Sequence, residues 1–472
     1  MHGDIKMKWK TLTLTLAAIV IIGSLFLYFL VQNRIGVTLI ESIIEVDGAR
    51  KYQRIEGFGG SGAYYEHLLR NLKEPLRTEA TDLLFSDLGI SIYRLRVWTK
   101  IESENDDDDP NNFNWEAFDF TTDQDQVWNA LEAKKRGVTK FIASVWSPPA
   151  WMKNNTQETN DGYLLPEMYE EFAEWLSAYI LGYKTYHDID IGWVSIQNEP
   201  DYTATWETCI YTPKQLKELI KVVGRKFARE GITAKIVVPE TSGVYAALNY
   251  LETIMSDPEA AQYVDVFAVH LYDIQFFNPD QGIGWLKTIS GYCAKYGRPL
   301  WMTEYSYLDF PYAGTYEEAL YTAQHIHNTL VYGNASVYLV WELFWYRETG
   351  LISISSQGDN YKITPKYYAV KQFFKFISPG SVRVEARSDR PQILASAYLN
   401  EESGDITIVL INRGMTDVNA KISLKNITPS LTLKQYRTSR NENCKYIDNI
   451  VVRDGLLEVL LPSDSITTLT TR

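Results

Sequence analysis

Gly192-Trp193-Val194-Ser195-Ile196-Gln197, closed by Asn198-Glu199-Pro200, is the stretch that decides the fold. It is a short apolar run ending on a carboxylate and then a breaker. That reads as a β-strand buried on both faces with an acid at its exit. Seven further runs fit the same description: the glycine-rich 54–62, then 90–98, 140–146, 234–239, 264–271, 299–303 and 336–341. Amphipathic stretches of helical period lie between them, such as 167–183 and 212–229. The second is opened by Thr212-Pro213 as N-cap and first helical residue. Eight strand–helix units in about 320 residues predict a (β/α)8 barrel. The rival, a doubly wound open sheet, lacks a G-x-G-x-x-G turn after its first strand.

The chain changes character after Ser378-Pro379-Gly380. Short alternating runs follow at 382–386, 393–399, 406–412, 420–424, 431–436, 456–461 and 465–471, separated by turn residues. They predict a β-sandwich of about 95 residues. A strand-like segment at 37–46 precedes the barrel and is expected to pair with that sandwich, clamping the two units together. The domains expected are therefore 1–33, a basic stub and apolar segment; 34–52, the clamping strand; 53–378, the barrel; and 379–472, the sandwich. Four consecutive acids, 106–109, read either as a solvated loop or as a calcium site.

Composition narrows the function. The 472 residues carry 46 Lys and Arg against 59 acids, a net charge of −13, which argues against a nucleic-acid ligand. Three cysteines are too few for a disulfide framework, and the six histidines show no H-E-x-x-H spacing. The 32 tyrosines and 13 tryptophans fit flat ligands such as sugar rings, or simply an aromatic-rich core. At the N-terminus, Lys6, Lys8 and Lys10 precede an apolar run from Leu12 to Val31, about the 20 residues that cross a bilayer. No small-x-small cleavage site follows it. An uncleaved signal-anchor is expected, or a cleaved signal; either way the body is exported to the cell surface or beyond. Membrane contact is expected through this segment alone, and the protein is expected to be a monomer.

Active sites of such barrels gather at the C-terminal strand ends. The fourth strand ends in Asn198-Glu199 and the seventh in Thr303-Glu304. A lone glutamate there is more often a salt-bridged surface residue, but two across one mouth suit displacement at an anomeric carbon. One protonates the leaving oxygen while the other attacks. A metal site would want more ligands than His270 adds. Arg94 and Arg96 close the second strand, and one of them can keep the attacking glutamate ionised. Trp146, His270, Tyr272, Trp341 and Trp345 crowd the same rim, as packing or as sugar contacts.

These residues resemble glycoside hydrolase family 30, a group of retaining (β/α)8 glycosidases. The similar segments are Ile55-Glu56-Gly57-Phe58-Gly59-Gly60-Ser61, Trp146-Ser147-Pro148-Pro149-Ala150-Trp151-Met152-Lys153, Ile196-Gln197-Asn198-Glu199-Pro200-Asp201-Tyr202 and Trp301-Met302-Thr303-Glu304. Lys366-Tyr367-Tyr368 and the run from Phe376 to Arg383 look like the passage from barrel to side domain. The likeness spans residues 50–472. It implies Glu199 as acid/base, Glu304 as nucleophile, Asn198 as a substrate contact, Arg96 as the arginine near the nucleophile, and Trp146 and Trp341 as subsite aromatics. It implies no metal and no cofactor. The stretch 196–202 and His325-Ile326-His327-Asn328 look most like the xylanase branch; other branches cut β-1,6-glucans, β-1,6-galactans or glucosylceramide. Trp345-Tyr346-Arg347 is similar to the pair that reads glucuronate side groups in many of those xylanases, although Trp341-Glu342-Leu343-Phe344 alters the spacing.

The expectation is an exported retaining endo-β-1,4-xylanase acting on a xylan-type polysaccharide, with carboxyls about 5–5.5 Å apart. Two alternatives stand beside it. Inverting hydrolysis needs roughly 6.5–9.5 Å between the carboxyls. A catalytically inactive carbohydrate-binding surface protein would release no sugar.

Overall fold

The computed structural model describes residues 40–472, apart from 106, 108, 309, 310 and 429. The expected signal-anchor and half of the acidic run at 106–109 lie outside the described residues. Among the described residues no helix is long and apolar enough to cross a membrane.

Strand β1 (Ile40–Arg54) leads into a closed parallel barrel of β2 (Gly57–Ser61), β3 (Ile92–Arg96), β4 (Lys140–Ser144), β5 (Ile191–Ser195), β6 (Lys235–Thr241), β7 (Val264–His270), β8 (Leu300–Glu304) and β9 (Ala335–Val340). Closure runs through β2 and β9, with Gly57 opposite Val337 and Gly60 opposite Val340. The glycines of β2 have a steric cause. A Cβ on Gly59 would lie 1.8 Å from the Ile92 carbonyl oxygen, so only glycine lets β2 approach β3 this closely. Side chains from six of the strands fill the barrel: Ile92, Ile142, Val237, Val266, Trp301 and Val337 pack together as a core of their own. A larger apolar layer joins the strands to the surrounding helices. Helix Pro213–Glu230 shows how locally this is written. Thr212 and Gln215 form a reciprocal capping box at its start, and Gly231 at φ 68° ends it.

Beyond β9 a small sheet of β10 (Phe344–Trp345), β11 (Ile352–Ile354) and β12 (Tyr361–Ile363) covers part of the rim. Its strands are too short for periodicity to reveal them. After helix Pro365–Phe374 come β13 (Val382–Ser388), β14 (Ile393–Leu399), β15 (Ile406–Asn412), β16 (Val418–Lys425), β17 (Leu431–Ser439), β18 (Glu442–Val452), β19 (Leu456–Leu461) and β20 (Ser465–Thr470). With β1 they form one nine-stranded sheet, in the order β18-β17-β20-β15-β14-β13-β1-β16-β19. It curls around a separate core that includes Ile44, Val46, Val384, Ile408 and Ile422. Strand β1 is antiparallel to β13, with Val46 opposite Ala386, and parallel to β16, with Ile44 opposite Ile422. The segment that precedes the barrel thus lies inside the side domain's sheet. Strand β18 is absent from the sequence reading. It is an edge strand, largely exposed and rich in charged and polar residues, so it carries little of the alternation that marks its neighbours.

Candidate active site

The loop that follows β5 is pinned from both sides. The Asn198 amide donates to the Val145 carbonyl at 2.6 Å, and the Glu199 amide to the Glu240 carbonyl at 2.9 Å. Glu199 and Glu240 both sit in the left-handed region, at φ 49° and 54°. That conformation is costly for side chains of this size, and it persists where surrounding contacts fix it. Glu304 is the last residue of β8 and turns into the same space.

Glu199, His270 and Glu304 each offer an atom, all within 4.8 Å of one another. His270 Nδ1 lies 2.8 Å from Glu199 Oε1 and 4.0 Å from Glu304 Oε1. Tyr272 donates its hydroxyl to Glu304 Oε1 at 3.0 Å. The other Glu304 oxygen accepts from Arg94 Nη1 at 2.6 Å. Arg94 Nη2 reaches Asn198 Oδ1 at 2.6 Å and Glu240 Oε1 at 3.1 Å, while Nε donates to the Ser144 hydroxyl at 3.1 Å. One buried guanidinium therefore ties together β3, β4, β6, β8 and the loop after β5.

The electrostatics follow from these contacts. Burial opposes charge on His270, but Glu304, Glu199 and Glu240 outweigh it and raise its pKa to about 10. His270 is an imidazolium at neutral pH, so its Nδ1–H donates to Glu199. Burial likewise opposes charge on Glu240, yet Arg94 and His270 hold its pKa at about 2. Burial pushes Glu304 upward; His270 and Arg94 pull it down, and Glu199 pushes the same way as burial. Two acids share one confined field here, as a site for proton transfer and nucleophilic attack requires. The three atoms cluster as metal ligands can, but Arg94 already places a positive charge against Glu304.

Aromatic rings wall the site. Trp146 lies with its ring 4.5 Å from the Arg94 guanidinium and 5.8 Å from Trp341. Asn198, Trp146, His270, Tyr272 and Trp341 thus stand around the two glutamates. Trp345 lies in β10 and packs on Tyr65 at 4.9 Å; Arg347 is exposed, 5.2 Å from the Tyr346 ring.

The expected role of Arg96 needs correction. The arginine on Glu304 is Arg94. Arg96 lies two residues further along β3, one side-chain layer nearer the rim, and pairs with Glu207 at 2.8 Å. There its guanidinium stacks between Tyr64 and Trp98, at 4.4 and 4.6 Å from the ring centres. Glu240 escaped the sequence reading altogether. The signal was present, since Glu240 closes the apolar run 236–239 as Glu199 and Glu304 close theirs.

Comparison with known proteins agrees with this geometry. Residues 55–352 match the model of glycosyl hydrolase family 59, and residues 380–469 match the glycosyl hydrolase family 30 β-sandwich domain. A glucuronoxylanase from Bacillus subtilis is 29% identical, with 92% of this chain and 93% of that protein covered. The lysosomal acid glucosylceramidase of Mus musculus is 23% identical over 86% of this chain and 84% of its own. Among solved structures, the family 30 subfamily 8 xylanase from Clostridium acetobutylicum superposes with a TM-score of 0.74 at 27% identity, covering 90% of this chain and 98% of that one. A family 30 endoxylanase from Clostridium papyrosolvens gives 0.72 at 28% identity, covering 91% and 99%. The barrel match to family 59 stands beside a side domain and structural neighbours that carry the family 30 name.

Proposed function

The chain belongs to glycoside hydrolase family 30, on its xylanase-like branch, and from that premise we propose an exported endo-β-1,4-xylanase that retains anomeric configuration. The observation that carries the reading is the spacing of the two acids: carboxylate oxygens of Glu199 and Glu304 approach within 4.8 Å. So close an approach supports direct attack by one carboxylate over the wider spacing that inverting hydrolysis needs for a water.

Glu304 Oε attacks the anomeric carbon as the glycosidic bond breaks, and Glu199 passes its proton to the departing oxygen. A covalent xylosyl ester results. The negative charge of Glu304 is then gone, and Glu199 takes a proton from water as that water attacks the same carbon, breaking the ester bond, releasing the sugar and restoring the Glu304 carboxylate. Arg94 and Tyr272 orient Glu304 for the attack, and His270 holds Glu199. Asn198, fixed by Arg94, presents its amide toward a sugar hydroxyl, with Trp146 and Trp341 as faces for the rings. The polysaccharide is the partner; the N-terminal segment supplies export and any membrane attachment; the active unit is a monomer. Arg347 is the candidate contact for a glucuronate side group, since a guanidinium matches a carboxylate in charge and shape.

Reducing-sugar release from glucuronoxylan, undecorated xylan and a β-1,6-glucan tests the proposal. Release from the xylans supports it, and a fall of roughly ten-fold in the glucuronoxylan preference of Arg347→Ala supports the side-group contact. Cleavage of the β-1,6-glucan alone moves the protein to another branch. No release from any polymer favours a binding protein.

A further inference from the structure

A second cleft lies away from the catalytic mouth, where the barrel meets the side domain. It encloses about 600 Å3, within the range of sites that hold small ligands. Five cationic side chains, Lys287, Arg383, Arg387, Arg390 and Arg413, line it against two carboxylates, Asp280 and Glu385. On a chain of net charge −13 this is a local reversal of sign.

The strand period builds it. Along β13, Arg383, Glu385 and Arg387 alternate with Val382, Val384 and Ala386. Val384 and Ala386 turn into the sandwich core, which leaves the charged residues facing the barrel. Arg383 is buried and held rigidly. Its Nε donates to Gln53 at 2.9 Å, its Nη2 to Asn334 at 2.7 Å, and its guanidinium lies 3.8 Å from the Tyr52 ring centre. Its Nη1 makes no hydrogen bond among the described residues. From the barrel side comes His327, also buried, with its Nδ1 unpartnered. Burial, helped by Arg383 and Arg413, drops the His327 pKa to about 3, so the ring is neutral. Tyr332 sits beside it, with Lys287 Nζ 5.3 Å from the ring centre.

We propose that this cleft is a second carbohydrate-binding site, specific for glycans that carry carboxylate groups. Guanidinium groups match a uronate carboxylate, the tyrosine rings offer faces to a pyranose, and the unpartnered imidazole nitrogen suits a hydroxyl. The site holds decorated polymer while the barrel cuts it. The polymer's identity rests on the proposed xylanase function; the carboxylate preference does not.

The test uses full-length protein carrying Glu304→Gln, so that polymer is bound and not cut, in native gels containing glucuronoxylan, the same polymer after carboxyl reduction, or polygalacturonate. Both Lys287 and Arg387 are exposed, so Lys287→Ser with Arg387→Ser is expected to fold. The parent should be retarded by both uronate polymers, and the double variant should bind them about ten-fold more weakly. Carboxyl-reduced xylan should retard both proteins equally. Retention of polygalacturonate stays readable even if xylan is not the substrate. Equal retardation of parent and double variant on both uronate polymers overturns the proposal. So does displacement by inorganic phosphate as effective as that by free glucuronate, which would mark a general anion site.

Discussion

Arg94 donates a 2.6 Å hydrogen bond from Nη1 to Glu304 Oε2. The same guanidinium reaches Asn198 and Glu240, so one side chain fixes Glu304, Asn198 and the acid beneath them. This sets Glu304 apart from Glu199, whose partner is His270. Lysine cannot reproduce the fork, because an ammonium is a compact point charge with no planar spread of donors. Arg94→Met removes the charge and leaves Glu240 and Glu304 buried without it. Breaking a buried pair this way costs about 3–5 kcal/mol. Urea denaturation should show a loss of that size for Arg94→Met, with activity lost in Arg94→Lys as well; an unchanged midpoint would show that the contact contributes little.

The two glutamates should fail differently. Glu199→Ala removes the proton donor, a loss of about 10²–10⁴-fold on xylan, and a much smaller loss on an aryl glycoside whose leaving group needs no proton. Added azide should restore turnover in Glu199→Ala by taking the place of water, yielding a β-glycosyl azide. Glu304→Ala should be inactive on both substrates and still fold, because Arg94 keeps Glu240 as its buried counter-ion. A β-glycosyl azide formed by Glu304→Ala and not by Glu199→Ala would exchange the roles.

The buried charges also predict a pH profile for stability. Glu240 falls from an ordinary 4.5 to about 2 on folding. Its folded form binds the proton less tightly, so its contribution is complete above pH 4.5 and is lost as the pH falls toward 2. His270 moves the other way, from 6.5 to about 10. Its contribution is complete below pH 6.5 and is lost as the pH rises toward 10. Melting temperatures of the parent should decline on both limbs. Glu240→Gln should flatten the acid limb, and His270→Gln the alkaline one. Parallel curves for parent and variants would contradict the assignment.

The barrel and the paired acids were legible because both depend on local patterns. Buried parallel strands are continuous apolar runs, and an acid that closes such a run is out of place in a core. Glu199 and Glu304 stood out on that ground. Choosing between Arg94 and Arg96 was beyond the sequence, because residues two apart share a face and only the depth of each layer decides which meets Glu304. Glu240 carries the same strand-end signal, obscured by Pro239 at the close of its run. Strand β18 was hidden for another reason: an exposed edge strand needs no buried face, so its residues have no alternation to display.

Strand β1 predicts a limit on truncation. It is hydrogen-bonded to β13 on one side and β16 on the other, with Ile44 and Val46 buried in the sandwich core. A chain ending at Ser378 loses both partners and exposes that apolar face. It should be recovered in the insoluble fraction; a soluble, active fragment would show that the barrel folds without its clamp.

In the proposed mechanism Glu304 is the residue that bonds to the sugar. A xylobioside with fluorine at C2 and a good leaving group forms the glycosyl-enzyme and resolves it slowly, so the ester accumulates and can be located by peptide mass spectrometry. The account predicts one added glycosyl mass, on the peptide that contains Glu304. The same adduct on the peptide of Glu199, or inactivation that leaves no covalent adduct, would contradict it.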